Sequence, residues 1–255
     1  MAATTTIEWT DATWNPVTGC TKISPGCDHC YAERLAKRLQ AMGNPSYQNG
    51  FAVTLQPRML RLPYKWRKPR LVFVDSMGDL FHEEVPATFI QLVFRVMSDC
   101  SYHRFQLLTK RSARLRELSQ QLPWPDNLWM GVTVECQDYL GRVDDLRATA
   151  AAVKFVSFEP LIQHVDSPDL SDIDWAIVGG ESGPGARPIQ PEWVIALREA
   201  CRAQSVAFFF KQWGGQNKKR AGRLLDGTTW DDMPSGIGTV RQRTTCSRNQ
   251  AVGKI

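Results

Sequence analysis

Three cysteines near the N-terminus have the spacing of a metal or cluster site. Cys20, Cys27 and Cys30 follow the pattern C-x6-C-x2-C within eleven residues. Three thiolates on one loop can bind three irons of a [4Fe–4S] cluster and leave the fourth iron open to a ligand from outside the protein. Structural zinc is the alternative, but it takes four protein ligands, and His29 lies inside the Cys27–Cys30 pair, where it can scarcely complete the set. Spacing alone leaves both metals open.

Basic residues are concentrated in two stretches. The net charge is +5, and residues 215–255 alone hold eight basic and three acidic side chains. Residues 57–70 contain six basic residues and no acidic one, with Tyr64 and Trp66 between them. Cations for phosphates and flat rings for bases are typical of surfaces that bind single-stranded nucleic acid. We therefore expect a nucleic-acid partner, with a solvated loop and tail as the alternative.

The elements that must position these residues alternate between strands and helices from residue 71 onward. Helical patterns of suitable length cover 86–100 and 191–203, and a further helix is expected from Cys30 to Met42. The predicted strands are Leu71–Asp75, Arg104–Thr109, Trp129–Val134, Val153–Phe158, Trp175–Val178 and Val206–Phe210. Repeated strand–helix alternation indicates an α/β fold of parallel strands, either a (β/α) barrel or an open doubly wound sheet.

A charged residue follows each predicted strand. These residues are Asp79, Lys110, Glu135, Glu159, Glu181 and Lys211. Active sites of parallel α/β folds lie at the carboxyl ends of the strands, so the sequence predicts one polar cavity ringed by these side chains. Two alternatives stay open: the charges pair as salt bridges, or the carboxylates hold divalent metal for hydrolysis.

Composition limits the class of protein. The chain has 255 residues, 43% hydrophobic and 22% charged, and an odd number of cysteines, seven. That content suits a globular protein in a reducing compartment and does not suit a disulfide scaffold. No apolar run approaches the ~20 residues of a membrane helix, and residues 1–10 lack the pattern of a secretory signal. We expect a cytoplasmic protein without a membrane segment, with a domain at 1–214 and a basic C-terminal extension at 215–255.

Several segments resemble those of a known superfamily. They are SMGDLFHE (76–83), LLTKR (107–111), GVTVE (131–135), SFEPL (157–161), VGGESGPGARP (178–188) and FFKQWGG (209–215), together with the cysteine motif. From Trp9 to Gly227 the chain resembles the phage-associated three-cysteine-motif family of radical-SAM-like proteins, within the radical S-adenosylmethionine (SAM) superfamily. It is more distantly similar to the branch that contains spore photoproduct lyase, which repairs a DNA lesion. The superfamily more usually has the spacing C-x3-C-x2-C, so the longer first gap is a departure.

The resemblance implies a fold and a reaction. The fold would be a partial (β/α)6-type barrel with the cysteine loop near the N-terminus. Cys20, Cys27 and Cys30 would hold a [4Fe–4S] cluster that cleaves SAM reductively and generates a 5′-deoxyadenosyl radical. A reductant such as a flavodoxin or ferredoxin would supply the electron, and a partner protein could deliver the substrate. We expect the substrate to be a nucleic acid or nucleotide that is modified or repaired; the alternative is a zinc-stabilised nucleic-acid-binding protein without catalysis.

The resemblance also implies roles for individual residues. The SAM-binding residues would be His29 near the adenine, Ser76, Gly78 and Asp79 at the amino group, Lys110 and Glu135 at the methionyl and ribose groups, and Gly179 and Gly180 against the adenine. The substrate contacts would be Glu159, Glu181 and Lys211. Cys136 could return a hydrogen atom, because a thiol does this readily; otherwise it is a buried structural thiol.

Overall fold

The structure is a computed structural model that describes residue 5 and residues 7–234. The strands are β1 (Ala12–Trp14), β2 (Val17–Thr18), β3 (Thr54–Leu55), β4 (Leu71–Val74), β5 (Arg104–Thr109), β6 (Leu128–Thr133), β7 (Val153–Phe158), β8 (Trp175–Gly179) and β9 (Ala207–Gln212). Seven of them form one parallel sheet in the order β1-β4-β5-β6-β7-β8-β9. The sheet is curled into a half-barrel, which confirms the predicted α/β class and partial barrel.

Helices connect the parallel strands. They are α1 (Tyr31–Ala41), α2 (Ala87–Asp99), α3 (Ser112–Leu118), α4 (Arg142–Arg147), α5 (Pro191–Ala203) and α6 (Lys218–Ala221). The three helices predicted from the sequence are confirmed as α1, α2 and α5. Pro86 directly precedes α2 and Pro191 opens α5, where the missing N–H of proline has no intrahelical partner to lose. Among the helices of the described residues, none is long and apolar enough to cross a membrane.

The first strand was missed by the sequence analysis. β1 has only three residues, too few for a period-two pattern to show. It pairs in parallel with β4, with Ala12 opposite Val72. Immediately after it, β2 pairs antiparallel with β3. The edge strand β1 therefore delivers the chain to the start of the cysteine motif at the carboxyl end of the sheet.

The two faces of the sheet bury different side chains. Alternate residues of a strand point to opposite faces. Val72, Leu107 and Met130 belong to the cluster that also includes the apolar residues of α2, α3, α4 and α5. Phe73 and Trp129 belong to a separate aromatic cluster. Because the helices cover the first face, the second is the inner face of the half-barrel.

Aromatic rings fill the amino-terminal end of the half-barrel. Trp175, the first residue of β8, is fully buried. Its ring meets those of Trp9, Trp129 and Phe209 edge-on at centroid distances of 6.0, 5.8 and 5.9 Å. Edge-to-face contact is the favoured geometry for such pairs. Gln106 is the buried polar residue among these rings, and its side chain donates to the Trp9 carbonyl at 3.3 Å.

The rings of the basic segment 57–70 are not placed as the sequence analysis expected. Trp66 is buried and lies edge-on to His103, with ring centroids 5.2 Å apart. The Tyr64 hydroxyl donates a hydrogen bond to Asp99 at 2.8 Å. Because both rings anchor the segment to the protein, the expectation that they stack on nucleic-acid bases is corrected.

The cations of the same segment remain at the surface. Two 3-10 turns, 57–61 and 63–65, are each opened by a proline. The exposed basic residues are Arg58, Arg61, Lys65, Arg67 and Lys68. The segment starts near the carboxyl end of the sheet, where the Trp14 indole in the last residue of β1 donates to the Met59 carbonyl. It ends at the first residue of β4, at the amino-terminal edge.

Residues 215–234 pack along β9. Phe209 and Asp231 form an antiparallel bridge, and Leu225 is buried. The ring of Trp230 lies edge-on to Phe208 with centroids 5.9 Å apart. Residues 235–255, which include Cys246 and the rest of the basic tail, lie outside the described residues. A division between 1–214 and a C-terminal extension stays a prediction.

Gly131 in β6 has no room for a side chain. A Cβ at this position would lie 2.4 Å from the ring of Phe155, its partner in β7. We predict that Gly131→Ala lowers the free energy of unfolding by about 1–3 kcal/mol, measured by urea denaturation. Gly141→Ala is the control, because a Cβ there meets nothing within 4 Å and φ is −57°. An unchanged stability of Gly131→Ala would contradict this account of the packing.

Candidate functional site

The cysteine loop, residues 19–30, lies across the carboxyl ends of the parallel strands. Gly19 forms a parallel bridge with Gly78, which follows β4. Further along the loop, Ser24 bonds to Glu135 beyond β6, and His29 bonds to Glu181 beyond β8. The loop thus touches the ends of three strands. Of the charged residues that the sequence placed at the strand ends, Asp79, Lys110, Glu135 and Glu181 belong to networks that hydrogen-bond to the loop.

Asp79 and Arg111 form the first of three charged networks under the loop. Both are buried, and they lie 3.5 Å apart. Asp79 also accepts hydrogen bonds from the Thr109 hydroxyl at 2.7 Å and from the Lys110 amide at 3.2 Å. Its carboxylate is therefore engaged within the protein, and its contact with the SAM amino group stays a prediction.

Arg111 reaches from this network to the first cysteine. One of its terminal nitrogens lies 3.4 Å from Cys20 Sγ, and the other donates to the Thr21 carbonyl and hydroxyl oxygens at 3.2 and 2.8 Å. Burial, followed by the charge of Asp79, raises the pKa of Cys20 to about 12, and Arg111 opposes that rise. The sequence analysis did not select Arg111; its position beside Lys110 at the end of β5 was the available signal.

Glu135 forms the second network and is fully buried. Its Oε1 accepts a hydrogen bond of 2.5 Å from the Ser24 hydroxyl and lies 3.4 Å from Lys110 Nζ. Its Oε2 accepts from Arg142 at 2.8 Å. A carboxylate taken out of water needs such partners, because desolvation is costly. The predicted contacts of Glu135 and Lys110 with SAM stay predictions, whereas the support of Ser24 by Glu135 is direct.

Gly26 lets the loop descend onto Glu135. A Cβ on Gly26 would lie 2.4 Å from Cγ of Glu135, closer than atoms can approach. The glycine directly precedes Cys27, whose sulfur is 3.7 Å from the Ser24 hydroxyl. The second cysteine is therefore placed by a serine and a glycine that both contact one buried carboxylate.

Glu181 and Arg187 form the third network. Arg187 donates to both oxygens of Glu181, from Nη2 at 2.7 Å and from Nε at 2.9 Å. It also reaches the Pro25 carbonyl at 2.8 Å and the Asp28 carboxylate at 3.4 Å. His29 Nδ1 lies 3.0 Å from the same Glu181 carboxylate. This network fixes the stretch before the third cysteine, and Arg187 was not predicted although it lies in the segment 178–188.

Glu159 and Lys211 form a fourth pair, which has no hydrogen bond to the cysteine loop among those described here. Lys211 Nζ lies 2.7 and 2.9 Å from the two oxygens of Glu159, and Gln212 donates to Glu159 at 3.1 Å. Both side chains of the ion pair are partly exposed, 19% for Glu159 and 15% for Lys211. Between their strands, Gly179 leaves space, since a Cβ there would lie 3.4 Å from each of them. Of the four strand-end carboxylates, Glu159 has the most exposed side chain.

The remaining predicted SAM-binding residues lie at the same edge of the sheet. Ser76 donates to the Asn15 side chain at 3.1 Å, and its carbonyl accepts from the Tyr31 hydroxyl at 2.5 Å. A Cβ on Gly78 would lie 3.0 Å from the Val17 carbonyl oxygen, and one on Gly180 would lie 2.1 Å from the Trp213 carbonyl oxygen. The chain itself therefore requires a glycine at 180, and an approach of SAM to these residues stays a prediction.

Cys136 directly follows Glu135 at the end of the segment GVTVE. It is buried, and burial raises the pKa of its thiol. Its neighbour Glu135 points into the second network under the loop, while Cys136 precedes the 3-10 turn at 137–139. Its predicted role as a hydrogen-atom donor stays a prediction.

The donor set of the loop consists of three thiols. Cys20, Cys27 and Cys30 are free thiols and partly exposed. Within residue 5 and residues 7–234, no three His, Cys, Asp or Glu side chains are grouped as a single metal ion requires. Thiols that each bind a different iron of a larger cluster need not converge on one point. The three cysteines therefore fit a [4Fe–4S] cluster.

The same geometry gives no support to the two metal alternatives. Neither a zinc site nor a group of three acidic ligands is present in the described part of the chain. Instead, the four strand-end carboxylates each have a cationic partner. Salt-bridge pairing, one of the alternatives from the sequence, is what the structure contains at Asp79, Glu135, Glu159 and Glu181.

Comparison with known proteins identifies a family. The sequence matches the profile of a family described as "Protein of unknown function (DUF5131)" over residues 4–234. The chain belongs to the DUF5131 family. A comparison of this DUF5131 chain with curated protein sequences gives no match. The phage-associated family named by the sequence analysis is not confirmed by this result.

Solved structures with a similar fold belong to spore photoproduct lyase. A cysteine-to-serine mutant of that enzyme superposes with a TM-score of 0.56 at 10% identity, covering 83% of the DUF5131 chain and 78% of its own. A tyrosine-to-phenylalanine mutant gives a TM-score of 0.55 at 8% identity, with coverage of 84% and 79%. At such identity the likeness establishes the fold. It confirms the half-barrel, and the chemistry must be argued from this chain's own residues.

The third network makes stability depend on pH. Burial raises the pKa of Glu181, but hydrogen bonds from Arg187 and His29 outweigh this effect and lower the pKa from 4.5 to about 2. A carboxyl whose folded-state pKa is depressed contributes stability above its unfolded pKa and loses it as pH falls through the folded value. Through Glu181, the free energy of unfolding of the native chain should fall by up to about 3 kcal/mol between pH 4.5 and 2. We predict that Glu181→Gln lacks this part of the pH dependence.

Urea unfolding at a series of pH values measures this difference. The exposed carboxylate of Glu192 provides the control variant, Glu192→Gln, which should follow the native pH profile. A Glu181→Gln profile parallel to that of the native chain would show that the network contributes nothing in this range.

Proposed function

We propose that the chain is a radical SAM enzyme that binds a [4Fe–4S] cluster through Cys20, Cys27 and Cys30 and acts on a nucleic acid or nucleotide. The observation that carries the proposal is the placement of three free thiols on one loop, over the carboxyl ends of a parallel half-barrel. The fold likeness to spore photoproduct lyase supports it at the level of architecture. The finer resemblance to the phage-associated three-cysteine-motif family remains part of this proposal.

The protein's contribution is to hold and enclose the reacting groups. When bound, such a cluster delivers an electron to SAM and so starts radical chemistry on a substrate. Arg111, Glu135 and Arg187 each hold the loop through a hydrogen bond. Glu159 and Lys211, left partly exposed, can orient a polar substrate through a carboxylate and an ammonium group. Positioning of this kind is what an enzyme adds to a reactive cofactor.

The nucleic-acid half of the proposal rests on the exposed cations. Five basic side chains are exposed between residues 58 and 68, and no acidic residue lies in 57–70. With the two rings of this segment held by the protein, binding there would be to phosphates and would not read sequence. A base acted on at the strand ends would have to be single-stranded or extruded from a duplex.

Cluster binding is tested by anaerobic reconstitution. We predict about four irons and four sulfides per chain, with visible absorption, and loss of both in the Cys20/Cys27/Cys30→Ala variant. Cys201→Ala, which removes a buried thiol of α5 outside the loop, should load as the native chain does. Addition of SAM under reducing conditions should then yield 5′-deoxyadenosine. Uptake of zinc without sulfide would refute the radical SAM proposal and favour the zinc-stabilised binding protein.

Nucleic-acid binding is tested by fluorescence anisotropy over a range of salt concentrations. We predict that Lys65→Gln/Lys68→Gln weakens binding of labelled single-stranded DNA, because fewer phosphates are neutralised. The slope of the logarithm of the binding constant against the logarithm of salt concentration should fall in magnitude by about 1 for each phosphate that the variant no longer binds. Arg116→Gln/Arg202→Gln removes the same charge from other exposed positions and should have a smaller effect. Equal effects of the two double variants would remove the segment's special role.

A further inference from the structure

Arg111 is the charged side chain that contacts a predicted cluster ligand directly. One terminal nitrogen lies 3.4 Å from Cys20 Sγ, and the residue is only 4% exposed. We propose that Arg111 positions Cys20 for cluster binding and raises the reduction potential of the bound cluster through its hydrogen bond and charge at that sulfur. This inference rests on the proposed function and deepens it.

The guanidinium is held in one orientation by groups on three sides. Glu83 accepts from Nε with both oxygens, at 3.1 and 3.0 Å. Asp79 lies 3.5 Å from the nitrogen that faces Cys20, and the other terminal nitrogen donates twice to Thr21. A planar guanidinium whose nitrogens are already hydrogen-bonded loses little further orientational freedom when it binds another acceptor. The cation is thus fixed at Cys20 before any ligand binds.

The contacts to Thr21 act on the loop itself. The carbonyl and hydroxyl oxygens of Thr21, the residue after Cys20, both accept from Arg111. Glu83 belongs to the segment that follows β4, and Arg111 closely follows β5, so the clamp joins two strand ends to the first cysteine. Cys27 is placed differently, with the neutral Ser24 hydroxyl 3.7 Å from its sulfur. The three-cysteine loop therefore has a cationic contact at its first ligand.

A fixed cation at a ligand sulfur has a predictable effect on redox chemistry. Reduction adds negative charge to an iron–sulfur cluster, and hydrogen bonds and positive charge at its sulfurs stabilise the reduced state. In a buried setting the screening by water is weak, so the effect is not lost to solvent. Removal of the guanidinium should therefore shift the midpoint potential to more negative values.

The test is a redox titration of the reconstituted full-length chain, followed by electron paramagnetic resonance. Two variants are compared with the native protein. Arg111→Gln removes the charge and the contact with sulfur, and we expect a negative shift in potential. Arg111→Lys keeps a charge to balance Asp79 but cannot span Cys20, Thr21 and Glu83 together, so we expect a smaller shift in the same direction. Arg116→Gln, an exposed change on the helix that follows Arg111, should leave the potential unchanged.

Thermal unfolding and iron and sulfide content accompany each titration. If Arg111→Gln has the melting temperature of the native chain but binds less iron and sulfide, the positioning role is supported. In that case the midpoint potential of Arg111→Lys tests the effect on the cluster. If both Arg111 variants bind as much iron and sulfide as the native chain and have the same midpoint potential, the inference is overturned while the proposed function stays intact. A native chain that binds no iron and sulfide would overturn both, and this result is visible before any variant is compared.

Discussion

The arrangement of the site depends on buried carboxylates that require cationic partners. Asp79, Glu135 and Glu181 come from three different strand ends and are nearly or fully excluded from water. Burying an unpaired carboxylate costs free energy of desolvation, and each of these three carboxylates is paired with an arginine or lysine. Two of those cations, Arg111 and Arg187, also donate to backbone carbonyls of the cysteine loop. The loop conformation is therefore coupled to charge neutralisation beneath it.

This coupling divides the strand-end charges by function. Three networks are used to support the loop that carries the thiols, and their ionised side chains have few unused bonds. The Glu159–Lys211 pair lies across Gly179, and Glu159 is the most exposed of the four strand-end carboxylates. A site with rigid ligands and one adaptable polar pair suits chemistry in which a reactive cofactor is held still and a substrate is oriented beside it.

The half-barrel gives this site its polarity. Aromatic rings around Trp175 fill the inner face near the strand starts, and the strand-end charges lie at the carboxyl end. The basic segment that enters β4 runs from the carboxyl edge to the amino-terminal edge of the sheet and is anchored by Trp66. At 10% identity to spore photoproduct lyase, the architecture is shared while the residues at the strand ends must be read in this chain alone.

The sequence by itself determined the fold class, six of the seven sheet strands and the approximate position of the site. These rest on local patterns: short runs of β-branched and aromatic residues, helix signals and the identity of residues after each strand. The three-residue β1 carried too little pattern to be found. Tertiary structure alone decided which charges pair. Arg111 and Glu83 are distant in sequence and meet because β4 and β5 are neighbours in the sheet, and Arg187 meets Pro25 because the loop lies over the strand ends. It also decided that Trp66 is buried, since its partner His103 comes from another connection, and burial is a property of packed neighbours that local pattern does not contain.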